Sequence, residues 1–143
     1  MNLFSSLHEY QSFVYSIRAH FTGVSFSTLT LVQRGVSIVE LTGELHFFSG
    51  HQLHIYERLR WRDGQLALLS YGYEVFQSED KLYWYDSQPH PHIPELASTH
   101  PHHKHIPPDI KHNRIPAPGL SFSAPNLPFL IREIERLAES GAS

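Results

Sequence analysis

Residues 37–86 read SIVELTGELHFFSGHQLHIYERLRWRDGQLALLSYGYEVFQSEDKLYWYD, and this run decides the fold. Within it, Leu53, Ile55, Glu57, Leu59 and Trp61 share one parity, and Arg58, Arg60 and Arg62 share the other. Alternation of that kind places one set of side chains on each face of a strand. Turn residues punctuate the run at hairpin spacing: Ser49-Gly50, Asp63-Gly64 and Ser78-Glu79-Asp80. The reading is four strands, Ser37–Phe48, His51–Trp61, Gln65–Gln77 and Lys81–Asp86, with a bulge expected at Gly43. Outward from this run, Val24–Gln33 is rich in β-branched and aromatic residues and supplies a fifth strand, ended by Arg34-Gly35. Five strands on hairpin-length connections make a twisted antiparallel meander.

Both ends of the chain carry helical periodicity. Leu3, Leu7, Tyr10, Val14 and Ile17 recur at three- and four-residue intervals and predict a helix over about 2–19. Leu127, Leu130, Ile131, Ile134 and Leu137 do the same over about 126–139. There Asn126 is the expected N-cap, with Pro128 in the first turn and Glu133, Glu135 and Glu139 on the exposed side. The fold class is therefore α+β: an antiparallel sheet packed with an N-terminal and a C-terminal helix. The expected organisation is one domain over 1–143, with the sheet over about 24–86 and a His/Pro-rich loop over about 87–125.

Composition narrows the function. With 17% charged and 41% hydrophobic residues the chain is globular rather than disordered. A formal charge of −3 argues against a protein that coats nucleic acid over its whole surface. The chain has no cysteine, which excludes disulfides and thiol nucleophiles and leaves His, Asp or Glu as metal ligands. No signal-peptide pattern and no long apolar run is present, so a cytoplasmic setting without membrane contact is expected. An aromatic-rich, nearly neutral sheet allows a homodimer.

The loop holds the unusual chemistry. Residues 89–118 contain seven of the 12 histidines and eight of the 10 prolines. Three readings stand beside one another. The first is acid–base cleavage of RNA, for which imidazole suits the proton transfers and lysine or arginine suits the phosphate. Over 100–114 the cations Lys104, Lys111 and Arg114 face a single acid, Asp109, so an acidic chain carries a locally cationic segment. The second is a metal site, because His90 with His92, His100 with His102, and His103 with His105 are same-face pairs in extended chain, with Asp86, Glu95 or Asp109 to complete a set. Lys104, between two of those ligands, opposes this unless it points away. The third is a solvated loop with no chemical task.

Other residues carry paired readings. Tyr71, Tyr73, Tyr83, Trp84 and Tyr85 suit either base stacking or the core. The three arginines of the second strand suit a phosphate groove or a wet sheet face. Glu40, Glu44 and Glu57 suit a polar site or ordinary cross-strand pairs. Asp86, just before His90, is the acid best placed to orient an imidazole.

Tyr71-Gly72-Tyr73, Tyr85-Asp86-Ser87-Gln88-Pro89-His90 and Pro101-His102-His103-Lys104-His105 together resemble the TumE-like toxin components of prokaryotic toxin–antitoxin systems. The likeness runs from about Val24 to the C-terminal helix. It implies a small growth-inhibiting protein acting on RNA and neutralised by a helix-turn-helix antitoxin. The expectation for this chain is a metal-independent ribonuclease with His103, His105, Lys104, Asp86 and His90 as catalytic residues and Lys111, Arg114, His102 and Tyr85 contacting substrate. No cofactor is expected on that reading. The alternative is a non-catalytic module that binds zinc or nickel, or a partner, through the loop histidines.

Overall fold

The computed structural model describes residues 2–87, 102–109 and 113–140. A 3-10 turn, Leu3–Ser5, leads into helices α1, Leu7–Tyr15, and α2, Ile17–His20. Eight strands follow: β1 Val24–Ser27, β2 Thr30–Gln33, β3 Ile38–Phe47, β4 His51–Arg62, β5 Gln65–Gln77, β6 Asp80–Asp86, β7 His103–His105 and β8 Arg114–Pro116. Helix α3, Leu127–Glu139, closes the described chain. All eight strands form one antiparallel sheet, ordered β1-β3-β4-β5-β6-β7-β8, with β2 beside β1 on the same flank of β3. The α+β class and the meander are as the sequence predicts.

The sheet buries one face. Leu53, Ile55, Leu59, Tyr73, Val75, Tyr83 and Tyr85 point inward, where they join Tyr10, Val14 and Ile17 from α1 and α2 and Leu127, Leu130, Ile131 and Ile134 from α3 in one core. All three helices therefore lie on the same side, and the opposite face of the sheet is left for polar side chains.

Several expectations change in detail. The N-terminal helix is broken at two serines: Ser6 caps α1 by accepting from the Glu9 amide at 2.9 Å, and the Ser16 hydroxyl donates back to the Ser12 carbonyl at 2.6 Å. The first expected strand is split at Thr28-Leu29, where the chain dips to bury Leu29. Gly43 permits that dip rather than forming a bulge of its own: its φ is +134°, and a Cβ there would stand 2.6 Å from the Thr28 carbonyl oxygen. Asn126 holds the N-cap position as expected, but its side chain makes no capping bond: it accepts from the Ser121 amide at 2.9 Å and donates to the Ser121 carbonyl and the Tyr73 hydroxyl. The expected loop also contributes two short strands, β7 and β8, which extend the sheet beyond β6.

Candidate functional site

Strand pairing turns a scattered set of residues into two rows across the outer face. One row runs Thr42, Tyr56, Gly72, Asp86, His103, Pro116, and the next runs Glu44, His54, Glu74, Trp84, His105, Arg114. Asp86 therefore lies directly across from His103, with His105 one row on, on the same face.

The three side chains converge. His103 Nε2 stands 2.6 Å from Asp86 Oδ1, His105 Nε2 stands 3.3 Å from Asp86 Oδ2, and the two Nε2 atoms are 3.1 Å apart. Both imidazoles are buried, at 1% and 3% exposure, although they lie on the face opposite the core. The Trp84 indole packs edge-on against His105, with ring centres 4.5 Å apart. Beside the cluster a groove of about 400 Å³ runs over the sheet, walled by Glu44, His54, Tyr56, Glu74 and Trp84 and ending at Asp86. Gly72 forms part of its floor, and a Cβ at this position would meet nothing within 4 Å. Arg114 sits across from His105, and its Nε is buried with no hydrogen-bond partner among the described residues.

The period of the strand separates neighbours. Lys104, between the two histidines, points to the inner side, where its Nζ lies 3.6 Å from Glu133 Oε2 and 4.1 Å from the centre of the Tyr83 ring. Tyr85 donates its hydroxyl proton to the same Glu133 carboxylate, at 2.9 Å to Oε2. His102 also turns inward, hydrogen-bonded through Nδ1 to the Tyr71 hydroxyl at 2.5 Å and packed against Phe122. Of the expected site residues, then, His103, His105 and Asp86 come together and Arg114 is adjacent. Lys104, His102 and Tyr85 serve the other face. His90 and Lys111 lie outside the described residues.

Of the five aromatics considered for stacking, Tyr71, Tyr73, Tyr83 and Tyr85 are core residues, and Trp84 is the one whose ring lies on the outer face, beside the groove. Burial, the largest influence, and the nearby Asp86 charge both raise the Tyr71 hydroxyl's pKa. Glu40 is committed to cross-strand pairing with Arg34 at 2.8 Å and Arg58 at 3.8 Å, and hydrogen bonds from Arg34 and Tyr56 hold its pKa below the usual value.

Two carboxylates have roles the sequence reading did not assign. Glu133 anchors Lys104 and Tyr85, which nothing in its helical position announced. Glu57 lies fully buried beneath the sheet and accepts from the Tyr10 and Tyr73 hydroxyls. Burial pushes its pKa up to about 7, against the opposing pull of those two hydrogen bonds. Its signal was present in the sequence: an acid in the apolar register of β4.

The family model described as toxin TumE matches residues 16–138. The chain belongs to the TumE toxin family. Among curated proteins and solved structures no significant match is found. A TumE family toxin implies an antitoxin partner. No described helix is long and apolar enough to cross a membrane.

Proposed function

We propose that this TumE family chain arrests growth by cleaving RNA at the Asp86–His103–His105 cluster, and that a helix-turn-helix antitoxin neutralises it in the cytoplasm. The observation that carries this reading is the convergence of the three side chains at the end of a groove large enough for a nucleotide. Arg114, one strand over, is the cation positioned to meet a phosphate oxygen.

The chemistry follows from the spacing. In an in-line displacement at phosphorus the attacking and leaving oxygens lie on opposite sides. Two imidazole nitrogens 3.1 Å apart sit on one side only, which favours a joint role over separate acid and base duties. The cluster takes the proton of the 2′-hydroxyl, and the 2′-oxygen bonds to phosphorus. The P–O5′ bond then breaks, and O5′ takes a proton from water. Asp86 holds the imidazoles in position. Lys104 supports this arrangement from the inner face, through Glu133, rather than by touching substrate.

The test is inducible expression without antitoxin, reading growth and total RNA together, with purified protein on RNA in parallel. Wild-type protein is expected to stop growth and fragment RNA, while Asp86→Asn, His103→Ala and His105→Ala lose both effects. Growth arrest with intact RNA would sink the ribonuclease reading and leave the toxin assignment untouched.

A further inference from the structure

We propose that Asp86, His103 and His105 form a site for one divalent transition-metal ion, of the class that accepts two imidazoles and a carboxylate. The argument begins with protons. The three contacts close a triangle: 2.6 Å and 3.3 Å from the imidazoles to the carboxylate, and 3.1 Å between the imidazoles. If both Nε2 atoms carry protons, both donate to Asp86, and the nitrogen–nitrogen contact sets donor against donor. If only one carries a proton, that proton serves one contact, and the bare nitrogen faces the carboxylate lone pairs. With Asp86 ionised and one acceptor to each proton, no assignment makes all three contacts attractive. A dication at the centre does.

Two of the three distances fit as well, and the third, 2.6 Å between His103 and Asp86, has to open slightly to admit an ion. Two nitrogens each about 2.0–2.1 Å from one ion stand about 2.9–3.4 Å apart at the angles of tetrahedral or octahedral coordination. The 3.1 Å separation falls inside that window, and the potential ligand atoms all lie within 4.8 Å of one another. Lys104, the charge that opposed a cation in the sequence, is held on the other side of the sheet by Glu133. Burial of both imidazoles excludes competing water. Two nitrogen ligands favour zinc, nickel or a neighbouring first-row ion over magnesium or calcium. The existence of the site stands independently of the RNA reading, but its use rests on it: an ion held by both Nε2 atoms would replace the imidazoles as the group that draws off the 2′-hydroxyl proton, and it would polarise a phosphoryl oxygen.

The experiment uses the full chain, expressed without an affinity tag and stripped with chelator. Zinc is titrated by calorimetry, and cobalt is followed by its visible absorption. One zinc ion per chain and cobalt bands of an imidazole–carboxylate site are expected, together with a zinc-dependent rise in Tm. His103→Ala and His105→Ala should each weaken zinc binding at least 100-fold and abolish the cobalt bands, whereas the exposed His8→Ala should bind as wild type does. Any variant that fails to fold is replaced by the milder Asp86→Asn, which should weaken binding at least 10-fold. No stoichiometric metal, or metal retained when all three residues are changed, would overturn the site. RNA cleavage by stripped protein that also takes up no stoichiometric metal on titration overturns the site and leaves the ribonuclease reading intact. Stoichiometric metal without RNA cleavage does the reverse.

Discussion

Glu57 is a carboxyl whose ionisation the fold opposes. Its pKa rises from 4.5 to about 7, and burial is the largest cause. The folded chain therefore holds a proton that the unfolded chain releases between those values. Stability contributed by the protonated form is complete below about pH 4.5, declines as pH rises towards 7 and is gone above it. The rise corresponds to about 3 kcal/mol. Glu57→Gln should keep the wild-type stability near pH 5 and exceed it at pH 8, read as urea midpoints at the two pH values. An unchanged difference between the two midpoints would count against the assignment. At this scale the sequence was partly legible. Asp86, His103 and His105 could be named because their residue types are chemically uncommon together. That Lys104 and His102 leave the site could not, because their direction depends on which strand β7 pairs with, and that pairing is fixed by residues far away in sequence.

Among the elements, the long strands were readable and the short ones were not. β3 to β6 announce themselves through alternation and turns, a local signal. β7 and β8 span three residues each, contain no alternating apolar pattern, and exist because β6 offers an edge. The break between β1 and β2 was likewise invisible, since it depends on what Gly43 leaves room for. Gly43→Ala should destabilise by about 3 kcal/mol or more, because strain at φ +134° adds to a backbone clash. Gly64→Ala, at φ +74° with open space around it, should cost about 1–2 kcal/mol. Urea denaturation of the two variants checks the contrast, and equal losses would refute it. A double-mutant cycle of Lys104→Met with Glu133→Gln should give a coupling of about 0.5–1 kcal/mol that shrinks in high salt, as an ion pair still partly open to solvent does.

For the whole molecule, the sheet divides labour between its faces. The inner face, sealed by the three helices, holds the fold together, and the outer face carries the Asp86 cluster and its groove. Ile131→Ala removes a fully buried side chain of α3 and should cost about 2–5 kcal/mol, lowering Tm by about 5–15 °C. Toxicity should fall in step with that loss of folded protein. Asp86→Asn should instead remove toxicity while the protein remains folded at the growth temperature. Thermal melts set beside growth curves test the division, and toxicity that tracked Tm for both variants would contradict it.

The alternation of His102, His103, Lys104 and His105 has a consequence for the order of residues as opposed to their inventory. Exchanging two neighbours, His103→Lys with Lys104→His, yields a permuted chain of identical mass, charge and composition. In it an ammonium group stands where an imidazole faced Asp86, and an imidazole stands where a cation met Glu133. Both acids keep a cationic or hydrogen-bonding partner, but the cluster at Asp86 loses one of its two imidazoles without any atom being added or lost. What makes a histidine-rich segment into a site is therefore parity along the strand, a property that counting its histidines does not record.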